Sequence, residues 1–174
     1  MKISLMFILV LLSFGLQAEG TKNIYDFSIN ASNGDAINMK DFKNKPILLV
    51  NIATRCGYTK QLDDIEALYQ KLKTKDLIVL GIPSNDFGSQ TPEDDAKVAD
   101  FCKLKYGVKF PLTKKVVVIG DKAHPLIKYA VKESGGKEIR WNFEKFLFNS
   151  DGKFKARYES SKIPTEKEIL AEIN

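Results

Sequence analysis

Two short apolar runs, separated by one amphipathic segment, constrain the fold of this chain most. Residues 46–53 (PILLVNIA) and 77–82 (LIVLGI) are typical of strands buried on both faces of a sheet. Between them apolar residues recur at helical spacing, which predicts an amphipathic helix over about residues 61–73. A strand–helix–strand unit of this kind implies parallel strands joined by a right-handed crossover.

Segments on both sides extend this unit. Upstream, Tyr25–Ile29 and residues 36–39, separated by the turn sequence Asn33-Gly34-Asp35, predict a strand pair. Downstream, Pro92 and the acidic residues after it predict the first turn of a helix that ends at Gly107.

The C-terminal third predicts a helix, a hairpin and a final helix. The bounds are Pro125–Lys132 for the first helix, Phe146–Phe148 and Phe154–Tyr158 for the hairpin strands, and Pro164–Ile173 for the last helix. The expected fold is therefore α/β, with a mixed central sheet and helices on both of its sides.

The first residues, MKISLMFILVLLSFGLQAEG, are typical of a targeting segment rather than of the fold. Lys2 precedes an apolar run of residues 3–16, which is too short for a membrane-spanning helix of roughly 20 residues. A secretory signal peptide removed after about residue 18 is the preferred interpretation, and an uncleaved anchor is the alternative. We therefore expect an exported protein, periplasmic or secreted, with one domain over residues 19–174.

Charge and side-chain chemistry exclude several functions. The formal net charge is +5, but the lysines are scattered singly, as on a solvated surface, and no nucleic-acid motif accompanies them. His124 is the only histidine, so no metal site is expected, and the glycines form no phosphate loop. No cofactor is expected.

The chain has two cysteines, Cys56 and Cys102, and in an exported protein a structural disulfide is the simplest interpretation. Cys56, however, lies just after a buried strand and before a helix. Backbone N–H groups and the helix dipole there stabilise a thiolate, and the neighbouring Arg55 is a further source of positive potential. A thiolate in such a position is a nucleophile that peroxide converts to a sulfenic acid.

The spacing around Cys56 argues against a local dithiol. Thr59 occupies the position where a Cys-x-x-Cys motif would carry its second cysteine. This favours a cysteine that is oxidised by peroxide and then resolved from elsewhere, either by Cys102 or by an external thiol.

At this point the sequence resembles the glutathione peroxidase family over nearly the whole mature chain. The segments that carry the resemblance are NIATRCGYT (51–59), LGIPSNDFGSQTP (80–92), FCKLKYGVKFPL (101–112), HPLIKY (124–129) and WNFEKFL (141–147). The resemblance implies a thioredoxin-like fold and a thiol-dependent peroxidase that defends against oxidative stress.

The family's catalytic tetrad of Cys, Gln, Trp and Asn has matching positions at Cys56, Gln90, Trp141 and Asn142. Amide and indole N–H donors suit the implied roles, because they stabilise a thiolate and the negative charge that develops on a leaving oxygen. Cys102 matches the resolving cysteine of the thioredoxin-dependent branch, so a catalytic disulfide with Cys56 is implied. That step requires the helix carrying Cys102 to unwind.

The sequence departs from the family's pattern near the expected site. Cys56 stands where the family often has selenocysteine, which implies slower chemistry with peroxide. Ser84 replaces a further cysteine that many members have, and Asp86 replaces a glutamine, which puts a carboxylate near the site.

The resemblance also implies the partners. The expected substrates are hydrogen peroxide and organic or lipid hydroperoxides, with membranes only as a lipid source, and the reductant is glutathione or a thioredoxin-like protein. The segment between Tyr129 and Trp141 is short compared with tetrameric members, which predicts a monomer or weak dimer. Two alternatives are a redox relay that passes a Cys56–Cys102 disulfide to another protein, and a binding domain stapled by an inert disulfide.

Overall fold

A computed structural model describes residues 22–173. The predicted signal peptide lies outside these residues. Within them, no helix combines the length and the apolar character needed to cross a membrane.

A four-stranded sheet organises the molecule, and a separate strand pair lies near the N-terminus. The strands are β1 (Ser28–Asn30), β2 (Ala36–Asn38), β3 (Ile47–Ile52), β4 (Ile78–Pro83), β5 (Lys145–Phe148) and β6 (Phe154–Tyr158). The sheet has the order β4-β3-β5-β6. β3 and β4 are parallel, whereas β5 is antiparallel to both β3 and β6, so the predicted mixed sheet and hairpin are confirmed.

Helices cover both faces of this sheet, as predicted. They are α1 (Gln61–Leu72), α2 (Asp95–Tyr106), α3 (Pro125–Glu133) and α4 (Glu166–Ile173). The buried residues of α1, α2 and α4 pack into one apolar cluster, which also holds alternate residues of β3 such as Val50. Ile47 and Leu49 of β3 join α3 in a second cluster on the opposite face. The period of two along β3 therefore divides the core into two layers.

The N-terminal prediction of a strand over Tyr25–Ile29 is wrong in part. Residues Ile24–Asp26 form a short 3₁₀ helix, and β1 begins only at Ser28. The cause is a capping box: the Asn23 side chain accepts the Tyr25 N–H, and the Asp26 carboxylate accepts the Asn23 N–H at 2.7 Å. These side-chain bonds stabilise a helical turn where apolar content alone suggested a strand.

Two helices also begin later than predicted, in both cases at a capping side chain. α2 was expected to begin at Pro92, but Asp94 is its N-cap, and its carboxylate accepts the Lys97 N–H at 2.9 Å. The last helix was expected to begin at Pro164, but it begins at Glu166, because the Thr165 hydroxyl accepts the Glu168 N–H.

The outer edge of β4 is covered by the chain that follows α2. The Gly81 N–H donates to the Pro111 carbonyl and the Gly81 carbonyl accepts the Thr113 N–H, both at 2.9 Å. A Cβ at Gly81 would lie 2.5 Å from a Leu112 side-chain carbon, so any larger residue would displace the Leu112 side chain that packs there.

Candidate active site

Cys56 lies in the turn that follows β3, at the end of the sheet where β3 leads toward α1. The Thr59 hydroxyl accepts the Cys56 N–H and donates to the Ala53 carbonyl, both at 3.0 Å, so it closes the turn on itself. The Tyr58 N–H points at the Cys56 Sγ from 3.4 Å. The thiol is 9% exposed, so this donor faces a sulfur that retains limited access to solvent.

Successive tight turns connect Cys56 to the first residue of α1. The carbonyls of Cys56, Tyr58 and Thr59 accept backbone N–H groups three residues further along the chain. Because α1 itself begins only at Gln61, the donor that reaches the sulfur belongs to this turn rather than to the helix. The sequence-based expectation of N–H groups around the thiol is therefore met by Tyr58.

Gln90 and Asn142, which are 52 residues apart in sequence, meet directly. The Asn142 side-chain N–H donates to the Gln90 side-chain carbonyl at 3.0 Å. Asn142 is fully buried, and its side-chain oxygen finds no hydrogen-bond partner among the described residues. This contact fixes the orientation of both amides, so that the N–H groups of Gln90 remain available to a ligand.

Trp141, next to Asn142, packs on Phe87 with ring centroids 5.7 Å apart. Its side chain is 38% exposed, which is unusual for the one tryptophan of a chain of this size. Phe87 belongs to the same loop as Gln90, so this ring contact is a second link between the two segments.

The backbone of the Cys56 turn is attached to the Gln90 loop. The Arg55 N–H donates to the Gln90 carbonyl at 2.9 Å, and the Thr54 hydroxyl oxygen lies 3.1 Å from the same carbonyl. Three segments that are distant in sequence are thereby held side by side at one end of the sheet, and they carry Cys56, Gln90 and the pair Trp141–Asn142.

Asn51, on β3, is a site-forming residue that the sequence did not single out. Its side chain accepts the Glu144 N–H at 2.8 Å and donates to the Trp141 carbonyl at 3.3 Å. Its backbone carbonyl accepts the Phe143 N–H at 2.7 Å. These bonds hold Phe143 with φ of 66°, a left-handed conformation that bulky residues rarely adopt.

An ion pair between half-buried Arg157 and buried Glu144 holds the same loop from the other side. Arg157, on β6, donates from Nε to the Glu144 carboxylate at 2.7 Å, and also to the carbonyls of Lys137 and Glu138. The Glu144 carboxylate in turn accepts the Arg140 N–H at 2.7 Å. We call Glu144 and Arg157 the loop clamp, because they bind both ends of the segment that leads to Trp141.

Arg55 does not act as a free positive charge beside the thiol, contrary to the expectation from sequence. Its guanidinium pairs with the Glu93 carboxylate at 2.7 Å, and Thr54 donates to the same carboxylate at 2.6 Å. Burial opposes ionisation of Glu93, but the hydrogen bonds from Thr54, its own backbone and Arg55 outweigh that effect and lower its pKa. Glu93 therefore stays charged and compensates Arg55.

Cys102 is fully buried on the inner face of α2, in the same apolar cluster as Cys56. Both cysteines are free thiols. Desolvation raises the pKa of Cys102 to about 12, so at neutral pH it is a protonated, unreactive thiol.

The two substituted loop positions are both engaged locally. The Asp86 carboxylate accepts the Val118 N–H at 2.6 Å, and Ser84 is buried with its hydroxyl accepting the Asp86 N–H. Asp86 is thus held toward the Val118 segment. His124 caps α3 by accepting the Leu126 N–H, and the described residues contain no group of three metal-ligating side chains.

Comparisons with known proteins agree on one family. The glutathione peroxidase family model matches residues 24–131. The hydroperoxy fatty acid reductase gpx1 of Synechocystis is 40% identical over 167 residues, covering 91% of this chain and 98% of that protein. The glutathione peroxidase-like peroxiredoxin 2 of Saccharomyces cerevisiae is 39% identical over 149 residues, covering 83% of this chain and 92% of that protein.

Solved structures agree with the sequence comparisons. The structure described as Trgpx in apo form superposes with a TM-score of 0.71 at 34% identity, covering 87% of this chain and 95% of that one. A thiol:disulfide interchange protein of the thioredoxin family from Chlorobium tepidum superposes with a TM-score of 0.64 at 15% identity, which shows the shared thioredoxin-like fold alone. The extent of these matches, on a fold with the expected sheet and helices, shows that this chain belongs to the glutathione peroxidase family.

Proposed function

We propose that this thiol-dependent peroxidase uses Cys56 as its peroxidatic residue, with Gln90, Trp141 and Asn142 as the donors around the reacting oxygens. One observation carries the proposal: the Gln90–Asn142 amide pair at 3.0 Å is attached to the Cys56 turn through the Gln90 carbonyl and leaves the N–H groups of Gln90 free. Such preorganised donors stabilise negative charge where it develops in the transition state.

The first step is displacement at a peroxide oxygen. The Cys56 thiolate attacks one oxygen of ROOH, the O–O bond breaks, and the sulfur becomes a sulfenic acid. The leaving alkoxide or hydroxide takes up a proton and departs as alcohol or water. Sulfur is oxidised by two electrons, and the peroxide is reduced by the same two.

Resolution by Cys102 is the second part of the proposal. Its sulfur attacks Cys56 sulfenic acid, an S–S bond forms, and water leaves with the former peroxide oxygen. A dithiol reductant of the thioredoxin type then returns both cysteines to thiols, and an external monothiol such as glutathione is the other possible source of electrons. The burial of Cys102 supports a requirement for α2 to open before this attack.

The surface near the site supports organic hydroperoxides as substrates in addition to hydrogen peroxide. Two large apolar side chains there are more than a third exposed, Tyr58 at 37% and Trp141 at 38%. Tyr58 is two residues from Cys56, and Trp141 belongs to the proposed tetrad. An apolar rim of this kind suits a lipid chain, and the related protein of Synechocystis is named for hydroperoxy fatty acids.

The deciding experiment measures peroxide consumption with glutathione and with thioredoxin as alternative reductants. It compares the wild type with Cys56→Ser, Cys102→Ser and Gln90→Ala. We expect no turnover for Cys56→Ser, loss of only the thioredoxin-supported rate for Cys102→Ser, and a reduction of about 10²-fold for Gln90→Ala, as for removal of one transition-state donor. Turnover that survives Cys56→Ser would refute the assignment.

Export remains part of the proposal, supported by the apolar N-terminal sequence. Mass spectrometry of the protein recovered from its native host would test it. We expect a mature N-terminus near residue 19 and recovery outside the cytoplasm, and a full-length cytoplasmic protein would contradict it.

A further inference from the structure

Lys145 carries a buried ammonium group at the start of an inner strand. It begins β5, an inner strand of the sheet, pairs with Val50 of β3, and has no exposed surface. Burying an ammonium ion costs free energy, and an apolar side chain of the same length would avoid that cost. Stability of the sheet alone therefore does not account for a lysine at this position.

Every N–H of this ammonium has an acceptor. Nζ donates to the Gln61 side-chain oxygen at 2.6 Å, to the Lys162 carbonyl at 2.6 Å and to the Ser160 carbonyl at 3.3 Å. Gln61, itself buried, completes the ring by donating from its amide nitrogen to the Ser160 carbonyl at 2.7 Å. We call Lys145, Gln61 and the carbonyls of Ser160 and Lys162 the Lys145 brace.

The brace joins the two chain segments that carry the proposed site. Gln61 is the first residue of α1, and the run of tight turns described above connects it without interruption to Cys56. Lys145 lies three positions after Asn142 on the segment that the loop clamp and Asn51 hold in place. A contact at 2.6 Å between these two side chains therefore restricts movement of the Cys56 turn relative to Asn142.

We infer that Lys145 and Gln61 are positioning residues, which hold the Cys56 turn in register with Asn142 across the sheet. The expected effect on the rate of Cys56 oxidation rests on the proposed function, whereas the expected effect on movement of the Cys56 turn does not. An apolar residue at position 145 leaves the Gln61 and Lys162 oxygens without their donor, so the first turn of α1 loses its attachment to β5. The turns between residues 56 and 62 then fluctuate, and Cys56 spends less time aligned with its donors.

The test compares Lys145→Met, Gln61→Met and the double variant with the wild type. Lys128→Met is the matched control, because Lys128 also donates to a backbone carbonyl, that of Asp121, but lies on α3. Two quantities are measured: amide hydrogen exchange at residues 58–63, and the rate of Cys56 oxidation by hydrogen peroxide, followed by Trp141 fluorescence. Thermal unfolding of each variant records whether it is folded.

The inference predicts faster exchange at residues 58–63 in both single variants, with α3 unchanged, and a rate of Cys56 oxidation lower by about 10-fold, as misalignment of reacting groups produces. The double variant should be slowed less than the product of the two single effects, because the two substitutions share the loss of the Lys145–Gln61 contact. Lys128→Met should match the wild type in both measurements.

The inference would be overturned if folded Lys145→Met exchanged amide hydrogens at residues 58–63 as slowly as the wild type does. An exchange rate raised equally over the whole chain would also overturn it. If Lys145→Met does not fold, Gln61→Met decides by the same criteria. A wild type that does not react with peroxide would refute the proposed function, and the brace would then be judged by hydrogen exchange alone.

Discussion

At the scale of single residues, the two thiols have opposite surroundings. Cys56 receives the Tyr58 N–H and retains 9% exposure, whereas Cys102 has none and burial raises its pKa to about 12. The resting enzyme therefore presents one sulfur to reagents and keeps the other as a protonated thiol within the core.

This contrast predicts selective alkylation. We expect iodoacetamide at neutral pH to modify Cys56 in the reduced native protein and to leave Cys102 unmodified until denaturant is added, because the thiolate is the reacting form. Peptide mass mapping before and after denaturation measures both sites. Equal modification of Cys102 in the native protein would contradict the buried position of this thiol.

Lys145 predicts a pH dependence of stability. Desolvation lowers its pKa to about 8, and Glu144 only partly opposes this shift. Below pH 8 the ammonium is charged in both states and the cost of burying it is fully present. Between about pH 8 and the unfolded value near 10.5 the unfolded chain binds more protons, so stability rises with pH.

The measurement is urea unfolding at a series of pH values from 7 to 10 for the wild type and Lys145→Met. As the pH rises, the free energy of unfolding of the wild type should increase relative to that of Lys145→Met. The increase should be roughly 1.4 kcal/mol per pH unit at most. A difference that does not vary with pH would show that Lys145 titrates normally in the folded state.

At the scale of elements, α2 is weakly anchored compared with α1, which lies in the same layer as Cys56. Its buried residues are only Val98 and Cys102, and Leu104 is 81% exposed. α1, by contrast, buries Leu62 and Ile65 among others. Helices with few buried apolar contacts open at low free-energy cost, which suits the movement that a Cys56–Cys102 disulfide requires.

We expect amide exchange at residues 95–107 to accelerate when the protein is oxidised by one equivalent of peroxide, because the Cys102 side chain must leave the core. Exchange over α1 serves as the internal reference and should change little. Equal protection of α2 in the two redox states would contradict resolution by Cys102.

The loop clamp gives a second prediction for an element, the segment before Trp141. Arg157→Lys keeps the charge but loses the planar fork that reaches Glu144 and two carbonyls at once. We expect a loss of about 1 kcal/mol in the free energy of unfolding, since the exposed carbonyls of Lys137 and Glu138 lose their guanidinium donor, together with a change in Trp141 fluorescence.

Glu159→Gln is the control for the loop clamp. It breaks the Arg140–Glu159 ion pair of the same region, whose side chains are more than 70% exposed, and exposed pairs contribute little. An unchanged stability and spectrum for Arg157→Lys would show that the clamp does not shape the loop.

The sequence predicted the strands and helices that are determined by burial of apolar residues. Its predictions of where elements begin were wrong where a side chain caps the backbone. Residues 46–53 and 77–82 became β3 and β4 because burial decides them. The starts of α2 and α4 depended on Asp94 and Thr165, which compete with nearby proline and acidic residues as helix starts. Capping depends on geometry that a linear pattern does not contain.

The sequence proposed four side chains for the candidate site, but it did not predict the contacts between the segments that carry them. The Gln90–Asn142 contact, the Asn51 bonds and the Lys145 brace all cross from one segment to another. One sequence signal existed for Lys145: a lysine beside the apolar run Phe146-Leu147-Phe148 in a predicted strand. The role of Lys145 depends on which face of the sheet the residue occupies, and tertiary packing determines that face.

At the scale of the whole molecule, helices cover both faces of the four-stranded sheet. The prediction of a monomer or weak dimer can be measured by sedimentation velocity at several protein concentrations. We expect one monomer species at micromolar concentration, since the segment between Tyr129 and Trp141 is short. A concentration-independent tetramer would contradict this prediction.

The pairing of residues 111–113 with the edge of β4 has a consequence for the protein's solubility during catalytic turnover. The strand edge at Gly81 is hidden only by the chain around Leu112, and this chain follows directly after α2. If opening of α2 spreads past Phe110, an unpaired β edge becomes available to other molecules, and such edges promote aggregation. Repeated peroxide turnover without enough reductant should therefore produce aggregates sooner than storage in the reduced form, and light scattering during turnover would reveal them.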